Sequence, residues 1–269
     1  RYLIASGSSG VIYWLSLDDL NQINGEKKDV QSPILFEKMF PKQNTLFFAT
    51  EDNSLMCTDL DPETHLAADK TFCIFCSHYG PIMGVVALPH HLVTAGYDGI
   101  LRIWQCSPSL NLVSTIPLGN DRLTALASSI GGNLIAFGSQ TGILRIVNTQ
   151  DGDNPILLFR ERLHISAVSA VVITPYYIVS GSVSGSLVIL QNDPLNVFPL
   201  IGLYQMNSTI VSLASPPPLG NVQQLLIATS HREVIRIDIP NEPPENFNIT
   251  TEMLNRAMLK VSSKITSIY

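Results

Sequence analysis

The sequence predicts an all-β fold made of one repeated four-stranded unit, and three observations predict it. The first is a hairpin pattern that recurs six times, at 3–17, 46–60, 92–106, 134–149, 177–191 and 226–239. Each copy has an apolar pair, small residues, a tight polar or Gly turn and then an alternating apolar strand. The second is the spacing. Anchored on Gly10, Asn53, Gly99, Gly142, Gly185 and Glu233, the copies step by 43, 46, 43, 43 and 48 residues. A fixed period of this size is the mark of a repeat architecture. The third is composition: 45 % apolar against 14 % charged residues. A chain so poor in charge buries most of its strands, which excludes a disordered class.

Taken in order, each copy reads as two strands and a turn. Alternation with period two is plain in Ile100–Trp104 and Val234–Asp238. Gly at the turn supplies the positive φ of a tight hairpin, and Ser or Asp beside it bonds the turn backbone. A fainter strand precedes each later hairpin, at 34–36, 82–88, 123–127, 168–173 and 210–214. A further copy at 265–268 has no hairpin after it, and the first hairpin has no such strand before it. A last strand follows the hairpins, as at 72–76, 112–117 and 198–204. Four strands per unit is the make-up of a propeller blade. The predicted architecture is therefore a β-propeller with six hairpin units visible, seven being the alternative for a complete ring.

The offset of half a unit at the two ends has two readings. Either the strand at 265–268 pairs with the first hairpin and closes the ring, or the chain is part of something longer. The second is the expectation: one propeller over 1–269, belonging to a longer multidomain protein. The segments 18–32 and 240–251, rich in Asn, Asp, Glu, Lys and Pro, are expected as insertion loops. Met253, Leu254, Ala257, Met258 and Val261 have helical spacing, but the repeat asks for an outer strand near 258–262. A helical turn up to about Arg256 followed by a strand reconciles them.

Several function classes fall away on charge and hydropathy. The net charge is −6 and Lys27–Lys28 is the only adjacent basic pair, so the footprint for nucleic acid is missing. No apolar run reaches the roughly 20 residues of a bilayer span, so no membrane insertion is expected. Four cysteines (57, 73, 76 and 106) are too few for a disulfide framework at this length. They suggest a reducing compartment and hence a cytoplasmic protein.

The third unit carries a family pattern. His78, Asp98 and Trp104 sit where WD40 repeats place a loop His, a turn Asp and a strand Trp, and Thr94 (or Ala95) sits where they place a strand Ser or Thr. The unit resembles a WD40 repeat, and the resemblance implies that these four side chains form a hydrogen-bonded network that stiffens the blade. The fifth unit keeps His164 and Ser180 but has Leu190 in place of Trp. The WD dipeptide itself is absent. The period thus covers nearly the whole chain, and the motif covers one unit. More narrowly, His164–Leu190 and Glu233–Ile265 resemble second-propeller sequences of WD-repeat cilia- and flagella-associated proteins, which implies an axonemal scaffold.

Catalytic and metal chemistry find little footing. Cys73-Ile-Phe-Cys76 is a CxxC with His78 nearby. Residues three apart on a strand point to opposite faces, so the two sulfurs do not converge on one metal. Gly181-Ser-Val-Ser-Gly185 puts Val183 where a nucleophile elbow needs Ser. Neither a Walker A sequence nor G-x-G-x-x-G occurs. The repeated position accounts for His78 and His164 without catalysis. No catalytic residue, metal, cofactor or small-molecule substrate is expected. Tyr79, Tyr97, Tyr176 and Tyr177 fall in turns and loops and are the candidate partner contacts. Local packing over blade edges is the competing reading for them.

The expected function is a non-catalytic protein–protein scaffold within a large assembly, with a ciliary or flagellar axoneme favoured. An adaptor in a vesicle-coat, nuclear-pore or ubiquitin-ligase complex is the alternative. An enzyme would need acidic, His or Arg side chains on several leading strands, which carry Val, Ala, Ser, Ile and Leu instead.

Overall fold

The computed structural model describes residues 2–28, 30–40, 44–74, 77–89, 91–106, 110–149, 155–193, 195, 197–218, 220–241 and 259–261, with backbone alone for 37–40, 69–70 and 259–261. The chain divides into two compact units, Arg1–Asn120 and Asp121–Tyr269.

In the first unit, β1 (Tyr2–Ser6), β2 (Ile12–Ser16) and β3 (Ile23–Lys27) make a three-stranded sheet. Two four-stranded sheets follow. The second contains β4 (Ile34–Phe40), β5 (Thr45–Thr50), β6 (Leu55–Leu60) and β7 (Ala67–Ile74). The third contains β8 (Ile82–Ala87), β9 (His91–Gly96), β10 (Ile100–Gln105) and β11 (Asn111–Pro117). The second unit holds three more four-stranded sheets. The fourth contains β12 (Leu123–Ser128), β13 (Leu134–Ser139), β14 (Ile143–Asn148) and β15 (Ile156–Arg162). The fifth contains β16 (Val168–Ile173), β17 (Tyr177–Ser182), β18 (Ser186–Gln191) and β19 (Leu200–Gln205). The sixth contains β20 (Ile210–Ala214), β21 (Val222–Thr229), β22 (Val234–Pro240) and β23 (Leu259–Val261). Every pairing is antiparallel between strands consecutive in sequence, and no helix occurs among the described residues.

The six expected hairpins are β1–β2, β5–β6, β9–β10, β13–β14, β17–β18 and β21–β22. At their turns the left-handed residue is Gly10, Asn53, Gly99, Gly142, Gly185 and Arg232. The sixth anchor is thus Arg232, one residue before Glu233. Each full sheet starts on a leading strand whose pairing is interrupted by a bulge, as at Leu123/Ala125 and Val168/Ala170. Bulges bend a strand and add twist, which is what stacking successive blades needs.

Burial follows strand order. The second strands β5 and β17 are buried throughout, whereas the outermost β15 is mostly exposed. Adjacent residues on β5 serve different neighbours: Phe47 packs with Ile82 and Leu92 of the third sheet, and Phe48 with Ile12 and Trp14 of the first. A strand buried on both faces reads as a continuous apolar run, which explains Leu46-Phe-Phe-Ala. In the second unit a Cβ on Gly181 would stand 2.5 Å from Ile210 Cγ2 of the next sheet. Glycine there lets β20 close on β17. The first sheet lacks a leading strand among the described residues, and Tyr2 and Leu3 on β1 are exposed.

The segment 18–32, expected as an insertion loop, contains β3. Ile23-Asn-Gly-Glu-Lys27 has one apolar residue, because an outer strand needs only main-chain pairing with β2. The strand expected near 258–262 is β23, outermost in the sixth sheet. Residues 242–258 and 262–269 lie outside the described residues, and with them nearly all of the loop at 240–251, the helical turn and the strand at 265–268.

Candidate functional site

Antiparallel strands put the turn between second and third strands at the same end of a sheet as the loop that enters it. In the third sheet this end carries a buried network. Trp104 donates its indole N–H to Thr94 Oγ1 at 2.9 Å, and Thr94 Oγ1 lies 2.7 Å from His78 Nε2. His78 Nδ1 meets Asp98 Oδ1 at 3.0 Å, and Arg102 Nη1 donates to Asp98 Oδ2 at 3.0 Å. Arg102 Nη1 also lies 2.5 Å from His78 Nδ1, so that nitrogen faces a carboxylate acceptor and a guanidinium donor at once. Thr94, not Ala95, fills the strand position. A Cβ on Gly96 would stand 2.1 Å from His78 Nδ1, so only glycine fits beneath the ring.

The electrostatics favour a neutral imidazole. Burial holds His78 below its ordinary value; the Asp98 hydrogen bond opposes this and the Arg102 charge adds to it. Burial pushes Asp98 up, but hydrogen bonds from His78 and Arg102 outweigh it and hold the carboxyl below its usual range.

The fifth sheet brings His164 and Ser180 together without a carboxylate. His164 Nε2 lies 2.8 Å from Ser180 Oγ, and Nδ1 lies 2.6 Å from Ser186 Oγ. Ser186 continues to Ser182 at 2.7 Å. With no charge beside it, burial alone pushes His164 down to about 4. Leu190 occupies the Trp position as plain core.

The fourth sheet carries a third version, with Asp where the third and fifth sheets have His. Asp121 accepts from Arg145 Nη2 at 3.0 Å and from Thr141 Oγ1 at 2.8 Å. Burial raises the Asp121 carboxyl, and hydrogen bonds from Ser139, Thr141 and Arg145 more than offset it. The available signal is the period: Asp121 stands 43 residues after His78 and 43 before His164. Arg102 and Arg145 share the same spacing and the same register, opposite Thr94 and Phe137.

The residues that follow these positions are thrust outward. Tyr79 is 91 % exposed while its main-chain N–H is held by Asp98 Oδ2 at 3.1 Å. Ile165, the residue after His164, is 85 % exposed. In the β17–β18 turn Val183 is also exposed; its N–H donates to Ala167 O at 3.0 Å and its carbonyl accepts from Thr209 Oγ1 at 2.8 Å. Tyr97 is half-buried in the turn of the third sheet.

Tyr176 and Tyr177 lie at the opposite end of the fifth sheet. Tyr176 is half-buried and packs on the core between the fifth and sixth sheets. Tyr177 corrects the expectation of an exposed partner contact: it is 1 % exposed and donates its hydroxyl to the Pro240 carbonyl. It is the first residue of β17, a strand buried on both faces, so its ring has no route to solvent. Burial pushes its phenol up to about 12.

Cys73 lies half-buried on β7, and Cys76 lies outside the described residues. No group of three or more His, Cys, Asp or Glu side chains that could hold a metal gathers among the described residues.

No protein-family model matches the chain, and no curated protein matches it in sequence. Solved structures do. Sqt1 of Chaetomium thermophilum bound to the N-terminus of ribosomal protein L10 superposes with a TM-score of 0.69 at 18 % identity, covering 88 % of this chain and 68 % of that one. A second structure of Sqt1 from Chaetomium thermophilum gives 0.68 at 17 % identity, covering 88 % of this chain and 66 % of that one. At such identity the likeness shows the fold.

Proposed function

The fold is a β-propeller of WD40-type, four-stranded blades, and from that premise we propose that the chain is a non-catalytic protein-interaction scaffold. Its contact surfaces are the network ends of the sheets, taken in each unit by itself. The carrying observation is the pairing of buried and exposed neighbours: His78 with Tyr79, and His164 with Ile165. A large apolar side chain held outward on a rigid main chain loses little entropy on binding, which is what an interface anchor requires. A solved neighbour that holds a segment of another protein supports the same reading.

Within this class we favour a structural role in a ciliary or flagellar assembly in the cytoplasm, as one propeller of a longer protein. That finer reading rests on the sequence resemblance of 164–190 and 233–265. A vesicle-coat, nuclear-pore or ubiquitin-ligase adaptor is the alternative.

The test is affinity purification from native tissue with wild type, Tyr79→Glu, Ile165→Glu and Leu195→Glu. Leu195 is exposed at the opposite end of the fifth sheet and serves as control. Loss of partners with the first two variants alone supports the contact surface; equal recovery by all four overturns it. Axonemal proteins among the lost partners favour the ciliary reading, and coat or ligase subunits sink it.

A further inference from the structure

The second sheet lacks the arginine that its neighbour in the repeat supplies. On β10, Arg102 stands opposite Thr94; on β14, Arg145 stands opposite Phe137. Each sends its guanidinium to a carboxylate 3.0 Å away at the network end of its own sheet. On β6 the same register, opposite Phe48, holds Met56. The carboxylate is nevertheless kept. Asp52 lies in the β5–β6 turn as Asp98 lies in the β9–β10 turn, and each accepts from the amide two residues on: Ser54 N at 3.2 Å, Ile100 N at 3.2 Å. Thr50 Oγ1 also donates to Asp52 Oδ1, at 2.5 Å. Asp52 makes no ion pair with any described residue.

The missing side chains leave room. Val30 stands over Gly10 of the preceding turn as His164 stands over Gly142, so the His position is taken by a smaller apolar residue. A cavity of about 590 Å³ opens there, lined by Val30, Ser32, Thr50, Asp52, Met56 and Cys73 among others. Its walls are apolar at Val30 and Met56, and its one charge is the oriented carboxylate. A guanidinium needs this combination: a flat apolar wall for its stem and plane, and a carboxylate for its N–H groups.

We propose that this pocket receives an arginine side chain from a protein partner, which replaces in trans the guanidinium that Arg102 and Arg145 provide in cis. The proposal rests on the protein-binding reading above and names the chemistry of one contact within it.

The experiment pans bead-displayed random heptapeptides with a fixed central Arg, Gln or Glu against the 269-residue chain. Wild type retains the Arg library over the Gln library, and Asp52→Asn weakens that preference at least about tenfold, as removal of a charge partner does. Asn keeps an oxygen for the Ser54 amide, so the turn survives. Met56→Arg places a guanidinium in the pocket and abolishes retention; thermal unfolding of both variants reports whether the fold holds. If Met56→Arg fails to fold, Asp52→Asn alone decides. Equal retention of Arg and Gln libraries, or retention indifferent to Asp52→Asn, overturns the inference. So does complete displacement of the Arg library by free arginine amide at equal concentration, which marks a small-molecule site. Tissue partners recovered equally by wild type and Asp52→Asn leave the scaffold reading standing and sink this one.

Discussion

The hydroxyl of Thr94 lies between the indole of Trp104 and the imidazole of His78, 2.9 Å from one nitrogen and 2.7 Å from the other. All three side chains are buried. Replacing Thr94 by Val keeps the shape and strips both contacts at once. A buried polar group left without a partner costs about 1–3 kcal/mol. Thr94→Val is expected to lower stability by roughly 3 kcal/mol, with Thr94→Ser close to wild type. Urea unfolding measures it, and coincident wild-type and Thr94→Val curves would mean that the network contributes nothing to stability.

His164 predicts an acid limb in the stability profile. Its folded value of about 4 lies below the ordinary 6.5 of an unfolded chain. The unfolded state therefore takes up the proton first as pH falls. The stabilisation from keeping the ring neutral is complete above about pH 6.5 and is lost progressively down to about pH 4. The loss is on the order of 3 kcal/mol. His78 and Asp98, both shifted down, weaken the fold in the same direction. Chemical denaturation at a series of pH values should show a shallower decline for His164→Gln than for wild type between pH 6.5 and 4. Parallel declines would count against burial of the neutral ring.

Much of this was legible in the chain itself. Hairpins, leading strands and outer strands were marked by alternation and turn residues, because each blade repeats one pattern of burial. The His78–Trp104 set was legible through its resemblance to the WD40 pattern, which places four unlike residues at fixed offsets within one unit. Asp121 was not, since it replaces His by a residue of opposite charge and only the 43-residue step betrays it. Arg102 and Arg145 carry no sequence signal beyond their common 43-residue step, yet both are buried on carboxylates. Tyr177 was misplaced because a turn boundary and a buried first strand residue look alike in sequence. Strand β3 was missed because an outer strand needs no apolar face.

Burial also ranks the thiols. Cys57 is pushed up to about 11, by burial and then by the Asp59 charge, and Cys106 to about 12, by burial and then by Cys57. Burial raises Cys73 as well, but this thiol lies half-buried on β7. Since the thiolate is the reactive form, native-state iodoacetamide should label Cys73 first, then Cys57, and Cys106 last. Peptide mapping after timed quenching reads the order. Equal rates for Cys73 and Cys57 would show that the second sheet opens readily on the labelling timescale.

Two tyrosines of the same expected class should separate cleanly on substitution. Tyr79 projects from a loop with its ring almost wholly in solvent, so Tyr79→Ala removes no packing and should change stability by under about 0.5 kcal/mol. Tyr177 is buried in the core between the fifth and sixth sheets and donates to the Pro240 carbonyl. Tyr177→Phe loses that hydrogen bond and should cost about 1–2 kcal/mol. Tyr177→Ala also leaves a cavity and should cost about 3–5 kcal/mol. Thermal and urea unfolding of the three variants test the ranking. A destabilising Tyr79→Ala would mean that its ring packs in the native state, and the surface proposed for partner contact would then lose its first anchor.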